Sequence, residues 1–270
     1  MSGGPYAFDG AAIAQRAAAA ISALPPGSPV SRAVVLGTTE STQDDARQLA
    51  SAGGPGVVVF AEHQTKGRGR LGRAWADISM KSLPATFAIG GGLLPEQLSL
   101  AAGVAASLTI ESLLQGRARV GIRWPNDVVE WPLDASGVPG RKLCGVLIEA
   151  AGTVHLVGIG INVTHDDADW PQELAATACS LRQLGCNTTR AEVTGTLITQ
   201  LVQALAMPAP QLIEHWRRRN VLLGQTRAFT HNAATYTGVV RDIDPANEIV
   251  LEKSPGQVKR LPALTTSMVK

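Results

Sequence analysis

The sequence predicts a larger α/β or α+β domain over residues 1–223, with a small β-barrel appended over residues 224–270. Three observations carry this. Apolar runs of strand length alternate with segments of helical spacing as far as about residue 223. The remaining residues hold four short β-type runs, at 226–230, 235–243, 249–251 and 258–261, separated by the turn formers Asp244-Pro245-Ala246-Asn247 and Ser254-Pro255-Gly256. A chain of 270 residues with 45% hydrophobic content fits roughly two domains and buries enough surface to fold without disulfide or metal staples.

The elements follow in order. Residues 11–24 are Ala-rich and read as a helix ended by Pro25-Pro26-Gly27. Residues 33–36 are a short apolar strand. Ser41 or Thr42 caps a helix running to about Ala52 and closed by Gly53-Gly54-Pro55. Residues 57–60 are a continuous apolar strand, followed by a charged, Gly-rich loop from His63 to about Lys81. Residues 83–90 read as a strand in which Pro84 is the weak point. Leu100, Val104, Leu108 and Leu113 give 96–114 helical spacing. Residues 119–123 are a strand leading into a turn at Trp124-Pro125-Asn126-Asp127, and 142–149 and 153–163 form a hairpin around Ala151-Gly152. Helices follow at 190–205 and 210–223. No internal repeat is present.

Charge and cysteine content narrow the function classes. Lys plus Arg is 24 and Asp plus Glu is 22, a net charge of +2, so a positive site must be local, and wholesale binding to nucleic acid or membrane has no electrostatic basis. Cys144, Cys179 and Cys186 contain no CxxC pair, which fits a reducing, cytoplasmic compartment and suggests no metal site. The N-terminus carries Asp9 and no basic residue before Arg16, unlike a signal peptide. The most apolar window, 87–110, is interrupted by Pro95, Glu96 and Gln97, so no transmembrane helix is expected.

The chemistry concentrates in Gly67-Arg68-Gly69-Arg70-Leu71-Gly72-Arg73. The run matches GxGxxG literally, but a dinucleotide site needs those glycines to open a helix and an acid about 20 residues later; here neither condition is met. What remains is Lys66, Arg68, Arg70 and Arg73, four cations in eight residues of a nearly neutral chain. Guanidinium groups fork onto carboxylate and phosphate oxygens, and the glycines let the backbone approach a ligand and move. The loop is either a lid that closes on an anion or a solvated basic loop of RGG type. Three further segments bear on the choice. Arg123-Trp124-Pro125-Asn126-Asp127 places a cation, a rigid turn and an acid at a strand end, or is simply a tight turn. Lys142-Leu143-Cys144-Gly145-Val146-Leu147-Ile148-Glu149 opens an apolar strand with a lysine, a position that surface lysines also occupy. Val157-Gly158-Ile159-Gly160-Ile161-Asn162 keeps glycine on one strand face, leaving room for something flat or for a close backbone.

Taken together and in this order, Glu40-Ser41-Thr42-Gln43, Gln64, Gly67 to Arg73 with Trp75, Trp124 to Asp127, Lys142 to Glu149, and Gly158 to Asn162 resemble the biotin protein ligases, the biotin–[acetyl-CoA-carboxylase] ligases. The resemblance implies an α+β fold: a mixed β-sheet flanked by helices, class II synthetase-like, with an SH3-like C-terminal β-barrel. It implies that biotin and ATP, with Mg²⁺, give biotinyl-5′-AMP and pyrophosphate. A lysine on the biotin carrier domain of acetyl-CoA carboxylase or a related carboxylase then takes the biotin. Adenylation gives a poor acyl donor a leaving group, so the enzyme must hold two anions together and neutralise developing charge.

By match, the resemblance implies that Ser41, Thr42 and Gln64 bind the biotin head group. Gly67, Trp75, Gly145, Leu147, Gly158 and Gly160 would line its pocket. Arg68 and Arg70 would cover the carboxylate and phosphate. Lys142 would hold both reacting groups, and Asp127 would orient or help deprotonate the incoming lysine. Arg70, Trp75, Arg123, Asn126, Lys142 and Asn162 would form the nucleotide side. Lys142, Arg70, Arg68 and Asp127 are thus the expected catalytic set. The chain departs from the family pattern at Gln43, where Asn is usual, and at Arg123, where Lys is usual. It departs again after Trp75, at Ile78-Ser79-Met80-Lys81-Ser82-Leu83-Pro84. The stretch between Asp127 and Lys142, with Pro132, Gly137, Pro139 and Gly140, reads as a longer surface loop beside the site.

Only one helix fits ahead of Ala33, so the resemblance is to the monofunctional type without an N-terminal DNA-binding domain, monomeric or homodimeric, with no DNA or membrane partner. Lipoyl or octanoyl transferases and ligases share the fold, and some of the transferases use a Lys and a Cys; Cys179, after Lys142, is the residue such a mechanism would need. A ligand sensor or nucleic-acid-binding protein is the rival of another class, disfavoured by the near-zero net charge.

Overall fold

Seven strands of the described residues hydrogen-bond into one mixed sheet: β1 (Arg32–Thr39), β2 (Val57–Gln64), β3 (Ser82–Gly90), β4 (Arg119–Arg123), β5 (Asp127–Trp131), β6 (Lys142–Ala151) and β7 (Val154–Asn162). Their spatial order is β1-β2-β3-β7-β6-β5-β4. The structure is a computed structural model, and it describes residues 9–78, 80–131 and 140–269. β1 and β2 pair in parallel because helix α2 (Thr42–Gly53) crosses between them; the other pairings are antiparallel.

The unbroken apolar run of β2 has a direct cause, for both of its faces are covered. Val57 and Val59 meet Ala46 and Ala50 of α2 on one side. Val58 and Phe60 face the main core on the other, where Phe60 packs edge-on against Phe87 with ring centroids 6.3 Å apart. That core is roofed by α1 (Gly10–Ser22), α3 (Pro95–Leu114), α5 (Arg190–Ala206) and α6 (Ala209–Arg217), with a one-turn α4 (Gln172–Ala175) before α5. α3 is long and apolar enough to cross a membrane, but 67% of its most apolar window is buried inside the protein, where it serves as the central core helix. α2 starts as expected: Ser41 caps it by accepting from the Gln43 N–H, Asp44 and Asp45 stand in its first turn, and Gly54 leaves it with φ +75°.

Three boundaries differ from the sequence reading. β2 runs on to Gln64, so the start of the expected loop is strand. β5 was not anticipated. Asp127 pairs with Arg123 in a tight hairpin, so the stretch after Asp127 begins as sheet rather than loop; Pro132, Gly137 and Pro139 lie outside the described residues, as does Ser79. α6 stops at Arg217, because residues 219–221 lie along the free edge of β4, where Ile122 N donates to Arg219 O (2.6 Å) and Val221 N to Ile122 O (3.1 Å). Satisfying that edge outweighs another helical turn. Pro84 is tolerated inside β3 because the ladder with β2 ends one residue earlier, at Phe60–Ala85, while that with β7 continues.

Residues from Thr226 onward form a second antiparallel sheet, order β11-β10-β9-β8-β12, from β8 (Thr226–His231), β9 (Ala234–Asp244), β10 (Glu248–Ser254), β11 (Gln257–Pro262) and β12 (Ser267–Met268). This sheet fits an SH3-like domain. Its core, including Phe229, Val240 and Leu251, is continuous with the main one, and Phe229 packs against Trp124 at 5.8 Å between ring centroids.

The first residues described are tied in by Arg190, which is 1% exposed. Its guanidinium binds both oxygens of Asp9 and donates to Glu62 O (3.0 Å) and Ser82 O (3.2 Å), joining α5 to β2 and β3. Arg190→Ala removes the donors to the Asp9 carboxylate and to Ser82 O and leaves Glu62 O with Met80 N alone, and it is expected to cost about 3–5 kcal/mol, read as a lowered urea midpoint with unchanged slope.

Candidate functional site

One end of the main sheet opens into a cavity of about 670 Å³. Its walls come from the start of α2, the Gly/Arg loop, β3, β6, β7, the β4–β5 turn and the C-terminal segment. One end is rich in hydroxyl and amide groups. Thr42 donates through both its backbone N–H (2.8 Å) and its hydroxyl (3.0 Å) to Gln64 Oε1, and its hydroxyl also meets Thr86 Oγ1 at 2.8 Å. With Oε1 so engaged, the Gln64 amide nitrogen is the donor left for a ligand. The Ser41 hydroxyl, 1% exposed, serves as the helix cap. Gln43 turns its amide onto β6, Nε2 donating to Leu147 O (3.2 Å), while its Oε1 is buried without a partner.

The cavity floor is made of glycine. Gly145 stands directly opposite Gly160, and Leu147 opposite Gly158, in the β6–β7 ladder. The flat group that the glycines admit is the protein's own: a Cβ on Gly160 would come within 2.7 Å of the Trp75 ring, and one on Gly158 within 2.5 Å of Gln43 Nε2. The indole N–H of Trp75 is buried without a partner. Trp75 is held in place because its backbone N–H donates to Gly67 O (2.9 Å), closing the base of the Gly/Arg loop.

Charge collects at the other end. Asp127 lies between Lys142 Nζ (2.6 Å) and Arg123 Nη2 (2.9 Å), with its side chain 22% exposed. Burial works to raise its pKa, but the two cations outweigh that and hold the carboxyl below its ordinary value. A β-bulge sets this up: Val128 pairs with Cys144 and Val129 with Lys142, so the lysine is drawn back toward the start of β5. Its ammonium crosses over Gly145, where an added Cβ would sit 2.8 Å from Nζ, and lies 5.4 Å from the centroid of Trp75. Arg70 and Arg227 line the same cavity. Desolvation pulls Arg70 below its ordinary pKa against the field of Asp127, and burial together with Arg123 does the same to Arg227. Arg123, Lys142 and Arg70 around one carboxylate leave a local positive excess, suited to an anion.

Two expected residues are employed structurally. Asn162 Nδ2 donates to Lys142 O (3.2 Å) and Cys179 O (3.0 Å), and Asn126 Nδ2 to Val146 O, so both brace strand ends while lining the cavity. Arg68 lies at the cavity rim, where its guanidinium is taken up by Asp44 and Glu149. Cys179 is buried; its thiol points at Arg141 O (3.5 Å), and burial pushes its pKa up, so it does not present a thiolate to Lys142.

The sequence reading missed several walls. Trp170, Leu174, Thr177 and Ala178 border the cavity beside Asn162, and Arg227 and Thr266 to Val269 close it from the C-terminal sheet. For Arg227 and Thr266 to Val269 the only signal was the β-rich character of the tail, which says nothing about its placement. Asp77 was also missed. Its side chain is fully buried, it accepts from Gln64 N (2.6 Å), and it lies 3.5 Å from His63 Nδ1.

Residues 36–166 match the family model described as the biotin/lipoate A/B protein ligase family. The chain is 33% identical over 230 residues to a biotin--[acetyl-CoA-carboxylase] ligase of Mycobacterium tuberculosis, covering 81% of this chain and 82% of that protein. It is 26% identical over 241 residues to the bifunctional ligase/repressor BirA of Escherichia coli, covering 82% of this chain and 68% of that protein. In fold it is similar to a biotin protein ligase from Aquifex aeolicus in complex with biotin and ATP, with TM-score 0.75, 24% identity, and coverage of 88% of this chain and 99% of that one.

Burial pushes Asp77 up to about 6 against the pull of the Gln64 N–H, His63 and Arg190. The folded pKa lies above the unfolded one, so the ionised carboxylate opposes folding: the penalty is absent below about pH 4, grows as pH rises through about 6, and is constant above. Asp77→Asn, which keeps an acceptor for Gln64 N, is therefore expected to be more stable than the parent at pH 7.5 by about 1–3 kcal/mol, with the difference vanishing near pH 4. Paired urea titrations across this range check it.

Proposed function

Because the chain belongs to the biotin protein ligase family, we propose that it activates biotin with ATP to biotinyl-5′-AMP, releasing pyrophosphate, and transfers the biotinyl group to a lysine of a carboxylase biotin carrier domain. The observation that carries this reading is the position of Lys142, paired with Asp127 and spanning Gly145, between a hydrogen-bonding end and a cationic end of one cavity.

The residues divide the work accordingly. Thr42 and Gln64 take the ureido head group, and the Gln64 amide, oriented by Thr42, offers its N–H to the carbonyl. Trp75 on the Gly145–Gly160 floor forms the wall of the apolar slot along which the valeryl chain runs. This delivers the carboxylate to Lys142, which is closed in by the nearby cations. As the carboxylate attacks the α-phosphate, negative charge builds on the phosphoryl oxygens, and Lys142, Arg70 and Arg123 are placed to stabilise it. When an anion takes Lys142, Asp127 keeps Arg123 and gains a free oxygen for the incoming lysine ammonium. Its lowered pKa suits orienting that group more than removing its proton. Ala178, Trp170 and Asn162 border the space left for the base.

The described residues do not form a carboxylate set for Mg²⁺, since no group of three or more His, Cys, Asp or Glu gathers among them and Asp127 is engaged by two cations. Mg²⁺ belongs to the ATP phosphates in this reading, and no step is assigned to it. Three reduced cysteines accord with a cytoplasmic setting.

The purified chain with ATP is expected to release pyrophosphate only when biotin is present, and neither lipoate nor octanoate should substitute. Lys142→Ala should lower that rate by about 10²–10³, the usual cost of removing one charge-stabilising donor. Cys179→Ser should stay within about tenfold, as a buried thiol outside the chemistry requires. Pyrophosphate release driven equally well by octanoate, or abolished by Cys179→Ser in a folded protein, overturns the assignment.

A further inference from the structure

The two central arginines of the Gly/Arg loop have different partners. The loop is a short hairpin closed at its base by Trp75 N to Gly67 O (2.9 Å) and by Gly69 N to Arg73 O (2.7 Å), with a turn at Arg70–Gly72. The guanidinium of Arg70, at the turn, makes no hydrogen bond or ion pair among the described residues, and Arg70 lines the cavity. Arg68, at the base, is fully committed. Nη1 and Nη2 donate to the two oxygens of Asp44 at 2.7 and 2.9 Å, and Nε and Nη2 reach Glu149 at 3.4 Å. Glu149 is held in turn by Arg47 (2.9 Å), which also donates to Ala150 O (3.2 Å).

These four residues tie together the three walls of the head-group end. Asp44 and Arg47 belong to α2, whose start carries Ser41, Thr42 and Gln43; Glu149 lies two residues after Leu147 on β6; Arg68 follows Gly67, which packs on Trp75 and Gln64. Resting on the reading above, we propose that Asp44 and Glu149 are positioning residues that hold Arg68 as a latch: it pins the hairpin base over the head-group end and thereby retains the adenylate, while Arg70 alone of the two contacts the ligand's charge. A single exposed ion pair contributes little, but Arg68 is bidentate to Asp44 and shares Glu149 with Arg47, the geometry in which such contacts persist. The fork fits Asp44 only as guanidinium, so lysine is no substitute.

A double-mutant cycle on the full chain tests this. Wild type, Arg68→Gln, Asp44→Asn and the double variant are loaded with a non-hydrolysable biotinyl-adenylate analogue, and its dissociation rate is followed alongside hydrogen exchange of residues 66–75. Each single substitution should speed dissociation about three- to tenfold and loosen the hairpin base, and the double variant should be no worse than Arg68→Gln alone, because Arg68→Gln already removes the Asp44 contact. Glu149→Gln should act in the same direction. Added salt should speed release more in the wild type than in the double variant, which has already lost the Arg68 ion pairs. If Asp44→Asn releases the analogue like wild type while Arg68→Gln is fast, or if the two effects multiply, Arg68 is itself a ligand contact and the latch is wrong. A wild type that does not hold the analogue at all overturns instead the biotin reading on which the latch rests.

Discussion

Asp127 is a half-buried carboxylate held between two cations, and the arrangement of the site follows from that placement. It opens β5 opposite Arg123, the last residue of β4, while the bulge in β6 brings Lys142 back to its other oxygen. Three strand ends therefore meet at one negative charge. Without it Lys142, Arg123 and Arg70 would crowd one cavity with their mutual repulsion unscreened, which turning outward to solvent would relieve. With it, Lys142 is held and aimed, and an arriving anion exchanges for the carboxylate rather than having to draw the lysine in. The Asp127 pair is thus a preorganising contact whose main value is in binding, in line with the modest net stability that ion pairs of this kind supply.

The glycines are the steric counterpart of that electrostatic arrangement. Gly145 is small enough for the Lys142 chain to cross β6, and with Gly160 it lets Trp75 lie against the sheet. The Trp75 backbone closes the Gly/Arg hairpin, so lysine position, pocket wall and loop base share one set of contacts. The Thr42–Gln64–Thr86 cluster is fixed independently at the far end by the capped start of α2 and by Asp77 beneath the Gln64 N–H. A ligand long enough to reach both ends, carrying a polar head and an anionic tail, is what such a cavity accommodates.

Much of this was legible in the sequence because the signals were local. α2 could be read from Ser41 and the Gly53-Gly54 stop, the β6–β7 hairpin from its apolar alternation around Gly152, and the C-terminal sheet from its turn formers. The motifs around Arg70, Asp127, Lys142 and Gly160 do converge on one cavity. What was not legible depended on long-range pairing. β5 was hidden because five residues beginning Asp-Val-Val and ending in Trp131 look like the start of a loop until β4 and β6 flank them. The end of α6 was decided by the open edge of β4, which no helical periodicity reports. The commitment of Arg68 to Asp44 and Glu149 joins residues 24 and 81 positions apart, and Asp77 became significant only when burial brought it beneath Gln64.

The most direct measurement is a crystal structure of the protein with biotin and a non-hydrolysable ATP analogue. The account predicts the head group against Thr42 and Gln64, the chain along Trp75, and Lys142 Nζ moved off Asp127 onto the carboxylate and α-phosphate oxygens, with Asp127 still bound to Arg123. A ligand bound elsewhere, or bound here with Lys142 still on Asp127 and out of reach of both anions, would contradict it.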